Sequence, residues 1–287
     1  MGGPALSLKP SKSFSLNENI YANQHYVNSK QRRKLIIFIV GLAVGLLSTI
    51  FGLGGGIIMV PVLTAIADLS QVEAMATSLG TIFLVSIWNS WRYSRKGLID
   101  WKVVYWVASG SGLCAALAAH SAPLLPEKVL VGLMLIVLMG LTWKTFSLDH
   151  LNEKKSAAPS HKTALGIGSL SGLVAGFTGI GGGGVTTPLM LIAGLVKNRS
   201  AAPTSNAIMI FTAGAGALAY AFNGSFNWPR LGLIQADYSL LLGSGAIISS
   251  FVGIKINHLI KLKLRKTVLG FILLFIAIRL FIQYIAL

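Results

Sequence analysis

Two glycine clusters, each followed by a proline and then by a hydroxyl pair, are the residues of this chain best placed to do chemistry. The first lies in FGLGGGIIMVPVL at 51–63 and holds Gly54, Gly55, Gly56 and Pro61. The second lies in TGIGGGGVTTPLM at 178–190 and holds Gly181, Gly182, Gly183, Gly184 and Pro188. Downstream, ATSLG at 76–80 supplies Thr77 and Ser78, and PTSNA at 203–207 supplies Thr204, Ser205 and Asn206. The chemistry these residues support is binding rather than bond cleavage. A helix that restarts after a break presents unpaired N–H groups with partial positive charge, and neutral hydroxyls and amides add hydrogen bonds to an oxyanion without adding charge. The glycines and the polar group are the expected substrate-binding set, and Pro61 and Pro188 are the expected helix breaks.

Two plainer readings compete. Hydroxyls at a helix start cap that helix, and small residues let membrane helices pack closely. Enzymatic readings fail earlier. Neither glycine run is followed by Lys-Ser/Thr, and GxSxG, HExxH and paired carboxylates are absent from the sequence. A single cysteine, Cys114, cannot build a thiolate cluster, so neither a metal nor a cofactor is expected. ATP-driven work would need a separate subunit.

The elements that position these residues follow from composition. A hydrophobic fraction of 54% with only 11% charged residues is too apolar for a soluble domain. The formal charge of +16 would suggest nucleic acid in a soluble protein. Here the charges fall between apolar segments, so the partners expected are a lipid bilayer and a small anion, not nucleic acid, with a homo-oligomer left open.

An ungapped offset of 127 carries Gly54 onto Gly181, Gly45 onto Gly172, Pro61 onto Pro188, Thr77 onto Thr204 and Tyr93 onto Tyr220. This regularity predicts an internal duplication. Residues 1–34 are expected to be a polar, mobile tail without signal-peptide organisation, 35–145 a first membrane repeat, 146–163 a basic loop and 164–287 a second repeat. Each half offers five apolar segments, the first two of them short. The fold class is therefore an all-α polytopic membrane protein of 8–10 membrane segments, made of two inverted repeats with glycine-broken helices. Ten crossings gather the basic loops around Arg92, Lys144, Lys197 and Lys255 on one side, which the positive-inside rule makes cytoplasmic.

Backbone without helical hydrogen bonds is tolerated at membrane depth only inside protein or along a cavity, so the two breaks predict one shared interior site. Asp237, about nine residues into its apolar segment, is a candidate for proton coupling, and Arg279 is expected to snorkel to the interface. The 11 extra residues of the second half are expected in the basic loop KINHLIKLKLRK, because Lys128 and Lys266 match at an offset of 138.

GLGGG with its proline, the following A-T-S, and GFTGIGGGG with proline and PTSN resemble the TauE/SafE family of sulfite and organosulfonate exporters over about residues 35–286. The resemblance implies an inner-membrane secondary transporter exporting sulfite, sulfonate or related small anions. The alternative is a membrane scaffold or assembly protein whose glycines serve packing alone. The copies differ at Ile57 against Gly184 and at Leu79 against Asn206, so the resemblance does not require a symmetric site.

Overall fold

The computed structural model describes residues 12–51, 54–147, 160–256 and 262–287. Among these residues lie ten α-helices: α1 (Lys12–Phe51), α2 (Gly56–Ile66), α3 (Gln71–Ser94), α4 (Trp101–Ser121), α5 (Glu127–Ser147), α6 (His161–Thr178), α7 (Gly183–Ile192), α8 (Asn198–Phe222), α9 (Ala236–Ile256) and α10 (Leu262–Ala286). Five stretches, in α1, α3, α4, α8 and α9, are long and apolar enough to cross a membrane. The chain is an all-α polytopic membrane protein apart from one small sheet, β1 (Phe226–Asn227), β2 (Arg230–Leu231) and β3 (Ile234–Gln235), paired antiparallel in that order.

Three expectations are corrected here. Only α2 and α7, of 11 and 10 residues, are half-length, whereas α1 continues for 40 residues through the polar stretch assigned to the tail. Much of the extra length of the second half is the β unit before α9. Residues 257–261 of the basic loop and 148–159 of the inter-repeat loop lie outside the described residues.

Packing shows where the β unit shifts the register. A Cβ on Gly41 or Gly45 of α1 would strike the backbone of Leu242 or Ala246 in α9, and one on Gly168 or Gly172 of α6 would strike Val107 or Ser111 in α4. Glycine at these four positions lets the helix backbones approach without a side chain between them. Ala246 and Ser111 are 135 positions apart, eight more than 127, as are Leu242 and Val107, so the glycine contacts on α9 match those on α4 at that longer offset. Each early helix thus packs on a late helix of the other half.

Contacts also place the helix ends. Arg33 at the start of the apolar part of α1 pairs with Asp68 after α2 (2.6 Å), and Arg230 pairs with Glu73 (3.5 Å), at one end of the bundle. Toward the opposite end, the Tyr93 hydroxyl near the close of α3 donates to the Thr49 carbonyl (3.2 Å). The Asp100 N–H donates to Thr204 (3.1 Å), and Trp106 stacks on His161 at 4.2 Å. Arg92, Arg95, Lys96, Lys102, Lys162, Lys197 and Arg199 flank these contacts, so the basic connections share one end.

Candidate functional site

The α2 break is a pair of left-handed glycines. Gly54 and Gly55 both have φ of 77°, and Gly55 is the N-cap of α2. Gly181 (φ 82°) and Gly182 (φ 78°), the N-cap of α7, repeat that geometry. A residue with a Cβ pays about 1–2 kcal/mol for this conformation, which is why the turn needs glycine. The first helical hydrogen bonds run from Ile58 and Met59 to the Gly55 carbonyl, and from Val185 and Thr186 to the Gly182 carbonyl. The N–H groups of Gly56 and Ile57, and of Gly183 and Gly184, therefore have no acceptor within their own helix, and each half-helix start carries partial positive charge.

The breaks meet each other. A Cβ on Gly56 would lie 2.5 Å from the Gly179 carbonyl oxygen and 2.7 Å from Ile180 Cα, and one on Gly54 would lie 3.4 Å from the Ile180 carbonyl oxygen. Ile82 of α3 covers Gly181 and Met209 of α8 covers Gly54, at 2.8 and 2.7 Å from the same hypothetical Cβ atoms. All of the predicted binding glycines are buried. Pro61 and Pro188 stand inside α2 and α7 rather than at the breaks, each the sixth residue of its half-helix, where it removes one helical donor.

The hydroxyls divide into two kinds. Thr77 accepts from the Gln235 N–H (3.0 Å), as Thr204 accepts from Asp100, so both pin the approach to the following long helix. Ser78 donates to the Gly179 carbonyl (2.8 Å) and ties α3 to the second break. Replacing Thr77 or Thr204 by valine should orphan a backbone N–H and cost about 1–3 kcal/mol. The expected readout is a lower melting temperature with little change in the anion KM.

Ser205 and Asn206 belong to another group. The Asn206 Nδ2 donates to the Ala202 carbonyl (2.9 Å), which turns its Oδ1 toward the Asn89 Nδ2 (3.3 Å). This relay fixes the amide of Asn89 and leaves its Oδ1 buried without a donor. The hydroxyl oxygens of Ser48, Ser90 and Ser205 are likewise buried and unpartnered. Buried polar atoms in folded proteins are normally satisfied, and of the five buried, unpartnered side-chain oxygens among the described residues these four stand on α1, α3 and α8, the fifth being Gln71 Oε1 at the start of α3. At the 127 offset Ser48, Asn89, Ser90 and Asn206 correspond to Ala175, Gly216, Ala217 and Leu79. The group, drawn from both halves, therefore has no polar mate at those four positions, whereas Ser205 matches Ser78. Sequence reasoning missed Ser48, Asn89 and Ser90 because single serines and asparagines in an apolar helix form no motif; the polar-for-small mismatch between the halves was the available signal.

Two ionisable residues stand elsewhere than expected. Asp237 is the second residue of α9, half-buried, with its Oδ1 accepting from the Tyr238 N–H (2.9 Å). The residues before it form β3, not helix, so the mid-segment position behind its coupling role does not exist; a first-turn carboxylate complements the helix dipole. Arg279 does not reach for the interface but donates from Nη1 to the Pro61 carbonyl of α2.

Comparison with known proteins agrees with this architecture. The family model described as "Sulfite exporter TauE/SafE" matches residues 37–280. A "probable membrane transporter protein" of Methanocaldococcus jannaschii is 29% identical over 251 residues, covering 83% of this chain and 91% of that protein. One from Bacillus subtilis is 24% identical over 274 residues, covering 86% and 96%. A third, from Haemophilus influenzae, is 28% identical over 266 residues, covering 84% and 93%. No solved structure matches. With the family model spanning nearly all of the helical bundle, this chain belongs to the TauE/SafE family of membrane transporters.

Proposed function

We propose that this protein exports small oxyanions, sulfite or an organosulfonate, across the inner membrane without ATP, through a site between its two glycine-broken half-helix pairs. The observation that carries the reading is the contact of the two breaks at Gly56, Gly179 and Ile180, where the half-helix starts α2 and α7 come together. Positive half-helix ends favour an anion, and the unpartnered hydroxyls of Ser48, Ser90 and Ser205 can donate to it without adding charge.

The matched contacts of the two halves support inverted repeats that rock about the shared centre. Tyr93 to Thr49 and Tyr220 to Gly176 (2.7 Å) are the same bond displaced by 127 at both ends. With five helices per half, the second half enters the membrane in the opposite sense. The basic end is then cytoplasmic, and the asymmetric polar group, set on the later part of α3 and the early part of α8, lies toward it. An anion would meet this group on its way out.

Sulfite release from sealed proteoliposomes, followed by a thiol-reactive dye outside, should be saturable and should proceed without ATP. A protein-dependent rate no higher than that of empty vesicles, for sulfite and for a short sulfonate alike, would overturn the proposal. The scaffold alternative draws on the glycine-mediated crossings of α1 with α9 and of α4 with α6. It predicts no anion-dependent rise in melting temperature, whereas a binding site predicts one that grows with anion concentration.

A further inference from the structure

We propose that the groove between α2 and α10 is a binding site for a single-chain amphiphilic anion, with the acidic head on Arg279 and the chain along the apolar wall. The groove has a volume of about 380 Å³ and is lined by Ile58, Pro61 and Val62 from α2 and by Phe271, Phe275, Ile276 and Arg279 from α10. Phe271 and Phe275 are 64% and 72% exposed on the outer surface of the bundle, so the groove opens where lipid chains run.

Arg279 is what a lipid-filled groove leaves unexplained. It stands seven residues before the end of α10, about 10 Å along the helix at ~1.5 Å per residue, and is half-buried. Its hydrogen bond goes to the uncharged carbonyl of Pro61, and among the described residues no carboxylate pairs with it. A guanidinium in hydrocarbon is retained at a cost, and the one carbonyl takes one of its five N–H donors, which leaves the others for an anion. At the offset carrying Lys128 onto Lys266, position 279 corresponds to Leu141, so the first half has no equivalent charge. At ~30 Å³ for a water-sized group, the volume suits on the order of a dozen non-hydrogen atoms. That is one medium chain with its head. The inference is independent of the export reading, because it concerns a different face of α2.

The test uses ³⁵S-labelled decanesulfonate binding to the protein in phosphatidylcholine nanodiscs, with empty nanodiscs subtracted. Saturable binding is expected, competed by unlabelled decanesulfonate far better than by decanol or ethanesulfonate. Arg279→Gln should weaken it at least tenfold and remove the preference over decanol. Val62→Trp, which fills the groove and leaves the charge in place, should weaken decanesulfonate while sparing sulfite flux. Equal competition by decanol in the wild type, or unchanged binding in both variants, would assign the groove to bulk lipid chains and overturn the proposal. A dimer in native mass spectrometry that Val62→Trp disrupts, with decanesulfonate binding unaltered, would assign it to a second copy and overturn it equally.

Discussion

Replacing Gly55 by valine should reduce sulfite flux at least a hundredfold while the protein still inserts. Its φ of 77° costs a β-branched residue about 1–2 kcal/mol, and the new Cβ would strike Val44 of α1, an overpacking worth about 1–3 kcal/mol more. Both penalties fall on the turn that restarts α2 against the other break. Gly182→Val carries the same backbone strain, but its Cβ finds the Ser171 carbonyl oxygen only at 3.1 Å, so it should lose less stability than Gly55→Val and still lose flux. Gly97→Val is the control. It has φ of 63° with nothing within 4 Å of its Cβ, so it bears the strain away from the site and should retain flux. Proteoliposome flux and thermal unfolding of all three variants check the expectation, and normal flux in Gly55→Val would remove the break from the site.

Asn206→Leu should raise the KM for the anion by about 10- to 100-fold. Leucine is the residue at the matching position 79, so the substitution gives the polar position the side chain of its apolar counterpart. It removes the acceptor of the Asn89 Nδ2 and frees the Asn89 amide to turn, dissolving the relay that aims Oδ1, an acceptor, at the O–H of a hydrogen-sulfite guest. A hydrogen bond to a charged group is worth about 1.5–3 kcal/mol, which sets the expected range at 1.4 kcal/mol per tenfold. Asn89→Leu should behave alike, whereas Thr204→Val, two positions from Asn206, should alter stability rather than KM. A common fall in stability across all three variants with KM unmoved would reduce the polar group to packing.

The apolar composition and the lengths of the apolar segments were enough to read a polytopic helical protein, because a helix inside a bilayer satisfies its own backbone and needs no partner to be recognised. The glycine breaks were legible for the same local reason: Gly54, Gly55, Gly181 and Gly182 sit where only glycine takes a left-handed turn without strain. Sequence alone could not sort glycines by job. Gly41, Gly45, Gly168 and Gly172 share the 127 register with the breaks, yet they sit within helices and serve close packing across halves, a contact made between residues far apart in the chain.

The same limit explains Thr77, Asp237 and Arg279. The Thr77 partner is the backbone of Gln235, the depth of Asp237 depended on whether 231–235 were helix or strand, and Arg279 found its acceptor in α2, 218 positions away. The relay from Ala202 through Asn206 to Asn89 was equally out of reach, since it joins α8 to α3 across 117 positions. Local backbone preference is written in neighbouring residues, and a buried polar group is satisfied or orphaned only by what the folded chain brings beside it.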